Sequence, residues 1–245
     1  MHWYDSQAKL VTSVPRADGK GEREPTLRDA RKLDLRPSVT TILTIIARFG
    51  LVDWQIEQAI KAALSHPSPL AALTEEFDKA RIRQIKDEAR EYTNWAASFG
   101  TEVHQAISAE HAGGTAFLGH VGAREIVDGF WLWQKHSLLR ITESERAFVC
   151  NGGWAGTVDI LGTYDSKPIL VDLKTREGHE VYEADALQLA GYALGLGFEG
   201  QRASVTISRE TPGDIEVRLW DENDRWDQAW LHTWGLWKQL KRWEG

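Results

Sequence analysis

Two aspartates and a lysine stand in adjacent apolar runs of the segment GTVDILGTYDSKPILVDLKT, residues 156–175. Asp159 lies in the first run, Asp172 lies in the second, and Lys174 follows Asp172 by two positions. Two carboxylates that converge at short distance either share a proton or bind a divalent cation. A nearby lysine favours the cation site if it interacts with a water molecule or an anion bound there. The alternative without chemistry is a hairpin face whose charges are simply solvated.

Alternation of side chains along a strand divides each apolar run into two faces. In the second run, Leu170, Asp172 and Lys174 share one face, and Ile169, Val171 and Leu173 share the other. In the first run, Thr157, Asp159 and Leu161 are predicted on one face, and Val158 and Ile160 on the other. The side chains of Asp172 and Lys174 are therefore expected to point to the same side of the sheet.

A hairpin that turns at Asp165 and Ser166 also fixes which residues oppose each other. Symmetric pairing around that turn sets Asp159 opposite Asp172, and Thr157 opposite Lys174. Opposed residues have Cβ atoms about 5 Å apart, where like charges repel and destabilise a sheet. The predicted register therefore requires something, such as a cation, to offset the repulsion.

Three further polar residues occur in helical contexts around these runs. His104 lies in GTEVH, within a helix of small and apolar residues, where a lone histidine is more often a satisfied core or surface group. Gln188 and Tyr192 are four positions apart in QLAGY, hence on one helical face. Each of these residues is weak as an isolated signal.

The elements that must position these residues are helices first and strands later. Ser38 is a plausible helix N-cap in a run that ends at Gly50, and helical spacing recurs over 52–64, 70–99, 101–111 and 122–136. Strand patterns follow over 140–150, in the two apolar runs, and over 203–210 and 214–220. A helix over 183–197 separates the strand pairs, and a final helix carries Trp226, Trp230, Trp234 and Trp237 as a predicted core stripe.

This order predicts an α+β or mixed α/β fold with a central sheet of about five strands flanked by helices. Residues 1–36 lack periodicity and are predicted to form an irregular arm or a loose hairpin rather than a domain. Residues 37–97 form a helical region, and residues 98–245 form the core domain with its tryptophan-rich C-terminal helix.

Composition narrows the class of protein. A chain of 245 residues with 42% hydrophobic content can bury a sizeable core. Without a signal peptide pattern or a run of about 18 apolar residues, we expect a cytoplasmic protein that does not enter a membrane. The single cysteine, Cys150, excludes an iron–sulfur cluster or a multi-thiolate zinc site, since those need about four ligands.

The net charge of −7 argues weakly against a nucleic-acid partner. Basic residues nevertheless cluster over 79–92 and, to a smaller extent, in WKQLKRW over 237–243. Solvated helix faces explain both clusters without any partner.

The ordered set of motifs resembles the RecB-like branch of the PD-(D/E)xK nuclease superfamily, which includes phage-type exonucleases and mitochondrial genome-maintenance exonucleases. The matching pieces are PSVTTIL with Trp54 following, GTEVH, SERAFV, AGTVDIL, ILVDLKT and QLAGY, which span roughly residues 37–195. A lone DxK is common, whereas this ordered combination is specific. The resemblance implies a restriction-endonuclease-like core.

The resemblance also implies roles for individual residues. His104, Asp159 and Asp172 would bind Mg²⁺ or Mn²⁺ together with the backbone carbonyl of Leu173. Lys174 would orient the attacking water, help to deprotonate it and offset charge on the phosphate. Gln188 would contact DNA or the lysine, and Tyr192 would support packing of the helix on the sheet. An acidic residue is expected on the preceding strand, where Glu145 competes with Glu143.

The helical region would form an arch or wall of a DNA channel in such a protein. Lys79, Arg81, Arg83, Lys86 and Arg90 would then attract the substrate. The hydroxyls of Ser38, Thr40 and Thr41 would contact phosphates, although helix capping explains them equally well.

The expected function is a metal-dependent DNA exonuclease that acts on single- or double-stranded ends in phage or prophage recombination or repair, in the cytoplasm of a bacterial host. A single-strand annealing protein and further copies of the chain are candidate partners. The alternatives are a structure- or sequence-specific endonuclease on the same fold and a non-catalytic DNA-binding module. Closed circular DNA separates the two enzymes, since only an endonuclease cuts it.

Overall fold

The computed structural model describes residues 1–46, 55–61, 63 and 75–244. Residues 55–61 are helical, in agreement with the prediction for 52–64. The predicted helix end at Gly50, the motif residue Trp54 and the break near 66–69 lie outside the described residues. Within the described ranges, no helix has the length and apolarity needed to span a bilayer.

The N-terminal third contains short elements followed by one long helix. They are β1 (Trp3–Tyr4), β2 (Leu10–Val11), β3 (Val14–Pro15), β4 (Glu22–Arg23), α1 (Leu27–Lys32), β5 (Arg36–Pro37), α2 (Val39–Ile42), a 3-10 turn (Leu43–Ile45) and α3 (Glu75–His111). The remainder consists of α4 (Ala123–His136), β6 (Leu139–Val149), β7 (Ala155–Tyr164), β8 (Lys167–Arg176), α5 (Glu183–Leu196), β9 (Gln201–Ser208), β10 (Ile215–Leu219) and α6 (Asn223–Lys241).

The central sheet has five strands in the order β10-β9-β8-β7-β6. Only the β8–β9 pair of this sheet is parallel, and its two strands are joined through α5, the crossover that a parallel pair requires. The predicted mixed α/β architecture with about five strands is therefore confirmed.

Helices cover both faces of this sheet. One hydrophobic cluster joins α3 and α4 to the sheet through residues such as Val103, Phe130 and Val171. The other joins α5, α6, α2 and the N-terminal segment to the opposite face through residues such as Leu170 and Trp230. The site strands β7 and β8 lie between these two apolar layers.

Residues 1–36, predicted to form an irregular arm or a loose hairpin, contain short antiparallel strand pairs. β1 pairs with both β2 and β5, and β3 pairs with β4. Trp3 is fully buried, stacking on Trp243 and meeting Trp237 edge to face. Burial of an indole of this size stabilises the segment on the core, an interaction that short-range patterns in the sequence do not encode.

The predicted helix break between residues 99 and 101 is wrong, because α3 continues through Gly100 to His111. The boundary drawn between residues 97 and 98 therefore falls inside one helix. A Cβ at Gly100 would lie 2.5 Å from the Thr175 Oγ1 atom. Gly100 thus permits the close approach of α3 to β8, which brings His104 toward the sheet.

The tryptophan stripe of α6 faces the core as predicted. Trp230 and Trp237 are fully buried, Trp234 is nearly so, and Trp226 packs against the same cluster while partly exposed. Trp230 also contacts Gly191 and Trp154, so α6 holds α5 against the sheet.

Candidate active site

The register of β7 and β8 agrees with the prediction, but the ladder ends one position before the two aspartates. Ile160 pairs with Val171 and Leu161 with Leu170, the pairing that would place Asp159 opposite Asp172. Beyond Ile160 the strands part, and the Asp159 Oδ2 atom accepts the backbone N–H of Leu173 at 2.6 Å. The two carboxylates therefore do not face each other across a continuous ladder, as was predicted. Instead, the Asp159 side chain fills an opening between the two strands.

The alternation predicted for β7 is broken at this opening. Val158 packs with α5 and α6, whereas Ile160 packs with α3 and α4, although strict alternation would put both on one face. On β8 the predicted faces are confirmed, since Ile169, Val171 and Leu173 share one cluster. The irregularity therefore belongs to β7 at Asp159.

Asp172 is almost completely buried beneath α5, with 1% of its surface exposed. Its Oδ1 atom accepts a hydrogen bond from Gln188 Nε2 at 2.7 Å, and its Oδ2 atom lies 2.7 Å from Lys174 Nζ as an ion pair. Burial, reinforced by the charge of Asp159 and partly offset by Lys174, raises the pKa of Asp172 to about 6. The fold thus holds this carboxylate at a free-energy cost.

Lys174 lies among acceptors on the same face of β8. Its Nζ atom donates to Gln188 Oε1 at 3.2 Å and lies 3.9 Å from Asp185 Oδ1. Burial alone would lower the pKa of Lys174, but the charges of Asp172 and Asp185 outweigh it and raise the pKa. An ammonium group donates but cannot accept a proton, so this arrangement favours charge offset and water orientation over deprotonation of water.

His104 reaches the opening from α3. Its Nδ1 atom lies 3.7 Å from Asp159 Oδ1, while its Nε2 atom is buried without a hydrogen-bond partner. Burial opposes charge on both groups, but their mutual attraction outweighs it, which raises the pKa of His104 and lowers that of Asp159. The unpartnered imidazole nitrogen is an unused ligand position inside the protein.

Glu145, rather than Glu143, faces the site from β6. Ser144 pairs with Ile160 and Arg146 with Val158, which leaves Glu145 beside Asp159. Its backbone has a φ of 52°, an unusual conformation for a side chain of this type. Burial and the Asp159 charge raise the pKa of Glu145 to about 6. Glu143 instead forms an exposed ion pair with Arg146.

Gln188 and Tyr192 project from α5 as their spacing predicts. The Gln188 amide donates to Asp172 and to the Tyr192 hydroxyl at 2.8 Å, and its oxygen accepts from Lys174. Of the two predicted contacts of Gln188, the structure shows the one with the lysine. A Cβ at Gly156 would meet the Tyr192 and Phe148 rings at 2.8 and 3.0 Å, so the motif glycine makes room for this packing.

Asp185 and Arg176 belong to the same network and were not predicted. Asp185 is 5% exposed and accepts two hydrogen bonds from Arg176 Nη2, at 2.9 and 3.0 Å. Arg176 shares the strand parity of Lys174, and Asp185 precedes Gln188 by three positions, so periodicity alone could have identified both.

Tyr4 approaches the site from the N-terminal segment. Its hydroxyl lies 3.0 Å from Thr157 Oγ1, on the strand that carries Asp159. Burial raises the pKa of Tyr4, and the charge of Glu145 adds to this effect. No local pattern predicts this contact, because the two residues are separated by 153 positions.

The hydroxyls of Ser38 and Thr40 are used locally. Ser38 is 3% exposed and accepts the N–H of Thr41 at 2.9 Å as the N-cap of α2, and its Oγ atom lies 2.9 Å from Thr40 Oγ1. The capping alternative therefore describes Ser38, which is too buried to meet a phosphate.

The basic residues of α3 lie on the helix arm before Gly100. Arg83 is exposed and sits 3.9 Å from Asp87, which also lies near Arg90. Arg81 contacts Gln84 and the Ala63 carbonyl. Arg81 and Arg83 thus belong to a charged helix surface rather than to the buried network.

The donors around the opening fit a hard divalent cation in their chemistry. Carboxylate oxygens and a strand carbonyl are ligands of the Mg²⁺ and Mn²⁺ class, and an imidazole nitrogen favours Mn²⁺, the transition metal of the two. The Leu173 carbonyl faces the opening, since the N–H and C=O of a strand residue share one edge. The unpartnered His104 Nε2 atom supports the same fit. Within the described residues, however, no three metal-binding side chains converge on one point, because Asp172 is directed at Lys174 and Asp159 at Leu173.

No family model matches this chain. No curated protein matches it either. Among solved structures, the chain is similar to the protein described as "Crystal structure of SSO0001", with 15% identity, covering 76% of this chain and 86% of that chain. The TM-score of this match is 0.30, too low to support an argument about fold or activity.

Proposed function

We propose that the protein is a metal-dependent deoxyribonuclease that hydrolyses phosphodiester bonds from DNA ends, on a restriction-endonuclease-like core. The observation that carries the proposal is the opening between β7 and β8, where Asp159, Asp172 and Lys174 meet Gln188 in a largely buried network. The resemblance of the motifs to RecB-like PD-(D/E)xK nucleases supports the same function.

Solvated hairpin charges do not account for this network. Asp172 and Asp159 are held inside the protein, and burial of a carboxylate is costly unless charge or chemistry compensates for it. Functional sites are where such costs are retained. Burial first, and then the charge of Asp159, raise the pKa of Asp172 and of Glu145 to about 6, so the cations nearby do not fully compensate for holding these carboxylates inside the protein.

A bound Mg²⁺ or Mn²⁺ would be held by Asp159, Asp172, His104 and the Leu173 carbonyl, with Glu145 nearby, and would polarise the scissile phosphate and acidify bound water. Lys174 then offsets negative charge on the phosphate and orients water through its N–H groups. Gln188 fixes Lys174 and Asp172 relative to each other, because it contacts both. Asp185 stabilises the ammonium form of Lys174 and accepts the backbone N–H of Tyr182 at the start of α5, while Arg176 pairs with Asp185.

Exposed cations on α3 support a nucleic-acid substrate. The arm of α3 before Gly100 carries exposed cations that can approach phosphates, among them Arg83 and Arg90. A role in phage or prophage recombination or repair, with a single-strand annealing protein or further copies of the chain as partners, is part of the proposal through the motif resemblance.

Digestion of end-labelled DNA tests the proposal. Single-stranded and double-stranded linear DNA, labelled at either end, is incubated with protein and Mg²⁺ or Mn²⁺. We expect release of labelled nucleotides that EDTA stops. Absence of any digestion, with a Lys174→Ala variant indistinguishable from wild type, would contradict the proposal.

Covalently closed circular DNA is the matched control substrate. An exonuclease leaves it intact, whereas a structure- or sequence-specific endonuclease on the same core cuts it. Binding of linear DNA without any cutting would instead indicate a non-catalytic module.

A further inference from the structure

We infer that a basic surface formed by α1 and the C-terminal end of α6 binds the phosphate backbone of DNA outside the candidate active site. This surface, here the α1–α6 basic face, consists of Arg28, Arg31, Lys32, Lys238, Lys241 and Arg242. That the anion is DNA rests on the proposed function.

The cations follow the same spacing in both elements. Arg28, Arg31 and Lys32 stand at positions i, i+3 and i+4, and Lys238, Lys241 and Arg242 repeat that spacing. Residues at these separations lie on one helical face. Arg28, Arg31 and Lys32 therefore share one face of α1, and Lys238 and Lys241 share one face of α6, with Arg242 following as the residue that ends α6.

A long-range contact joins the two patches. The Arg31 guanidinium donates to the backbone carbonyl of Arg242 at 2.9 Å and also to the carbonyl of Lys241. The Trp3 ring stacks on Trp243 immediately beyond, which fixes the end of α6 beside the N-terminal segment. Six cations from distant parts of the sequence thus form one surface.

The charges of this surface are not neutralised by the protein. Among the ion pairs of the described residues, none involves any of the six cations. Asp29, which lies within α1, and Asp34, which follows it, pair instead with Arg23 and Arg36. Clustered like charges repel one another, so an unpaired cluster on a chain of net charge −7 is a strong candidate for contact with a polyanion.

Helix-dipole compensation explains only part of the cluster. Arg31, Lys32, Lys238 and Lys241 lie in the last turns of their helices, where cations are favourable. That effect also gives a reason for Arg31 to meet the end of α6, whose last carbonyls it caps, but it gives none for Arg28, in the first turn of α1, to add a further positive charge there. Phosphates spaced along a DNA strand do give such a reason.

β1 connects this surface to the candidate active site. Tyr4 contacts Thr157 on β7, while its neighbour Trp3 contacts Trp243 next to Arg242. The basic face and the opening between β7 and β8 thus flank the same two-residue strand. A DNA whose end occupies the site can extend across the face.

Equilibrium binding of a fluorescently labelled linear DNA duplex to the full chain in EDTA tests the inference. We compare wild type with the triple variant R28Q/K32Q/K241Q, which retains Arg31 because that residue contacts α6. The matched control is K9Q/K20Q/K135Q, which changes net charge equally at exposed positions elsewhere. Thermal unfolding of each variant verifies folding, and a charge-conserving R28K variant serves as a second check.

Loss of three phosphate contacts to the duplex should reduce the magnitude of the slope of log affinity against log salt by about 3, since each contact contributes about 0.9. The control and R28K should retain the wild-type slope. Equal slopes for the two triple variants would overturn the inference, even if the protein digests DNA. A reduced slope for R28Q/K32Q/K241Q in a protein that fails to digest DNA would instead support the surface and contradict the nuclease.

Discussion

The Asp159 carboxylate accepts the backbone N–H of Leu173 at 2.6 Å, at the position where the β7–β8 ladder stops. A side chain thereby takes the place of a strand neighbour, which orients Asp159 and keeps the strands apart. Orientation by a buried backbone donor is a form of preorganisation, because the carboxylate is positioned before any ligand arrives. The predictions below depend on this opening and the elements that hold it.

Replacement of Asp172 by asparagine should change the pH dependence of the stability of the metal-free protein. The folded-state pKa of Asp172 is about 6, above the ordinary value of 3.8, so its protonated form stabilises the fold at low pH and this contribution is lost as pH rises through 6. The asparagine side chain is neutral throughout this range. As pH rises from about 4 to 7, the free energy of unfolding of the variant should therefore increase relative to that of wild type by on the order of 2 kcal/mol.

Chemical denaturation in EDTA at several pH values measures this difference. Added Mg²⁺ should reduce this difference in unfolding free energy, because the wild-type carboxylate then has a cation to bind. A constant gap between the two proteins across the pH range would show that Asp172 is not strained in the fold.

Gln188→Ala should impair the proposed chemistry more than folding. The variant loses the bridge between Lys174 and Asp172 and leaves a gap beneath α5. We expect a decrease in cleavage rate of about 100-fold, because misplacement of a reacting group by about 1 Å costs that much. Gln239→Ala on the exposed face of α6 is the matched control and should retain wild-type activity.

The decisive readout for Gln188 is the single-turnover rate at saturating DNA. If the rate is unchanged while DNA affinity falls, Gln188 binds substrate instead of positioning the lysine.

Gly100→Ala should destabilise the wild-type background and stabilise a Thr175→Ala background. The added Cβ would lie 2.5 Å from Thr175 Oγ1, and overpacking of this kind costs about 1–3 kcal/mol. Once that oxygen is removed, the better helix propensity of alanine contributes up to about 1 kcal/mol. A double-mutant cycle on unfolding free energies measures the coupling. Additive effects would mean that α3 does not approach β8 as closely as described.

Trp230→Ala should destabilise the fold by about 3–5 kcal/mol, as for other buried tryptophans. The ring is fully buried against Gly191 and Trp154, so its loss leaves a cavity between α5 and α6. Leu231→Ala, at the half-exposed neighbouring position, should cost far less. Similar losses for both variants would contradict the assignment of the core stripe.

The sequence predicts more of the site than of the frame that surrounds it. The β7–β8 register follows from turn symmetry, and the α5 spacing of Gln188 and Tyr192 follows from helical periodicity. The opening at Asp159 does not follow, because strand alternation assumes a continuous ladder. The burial of Trp3 and the contact of Tyr4 with Thr157 depend on tertiary packing across distant parts of the chain, which no local pattern contains.

The central claim is that Lys174 offsets phosphate charge in a metal-dependent cleavage reaction, and single-turnover digestion of linear DNA in Mg²⁺ tests it most directly. We predict that Lys174→Gln folds and binds DNA in EDTA like wild type but cleaves about 100- to 1,000-fold more slowly, the loss typical of one preorganised electrostatic donor. A Lys174→Gln variant that cleaves at the wild-type rate would contradict the account.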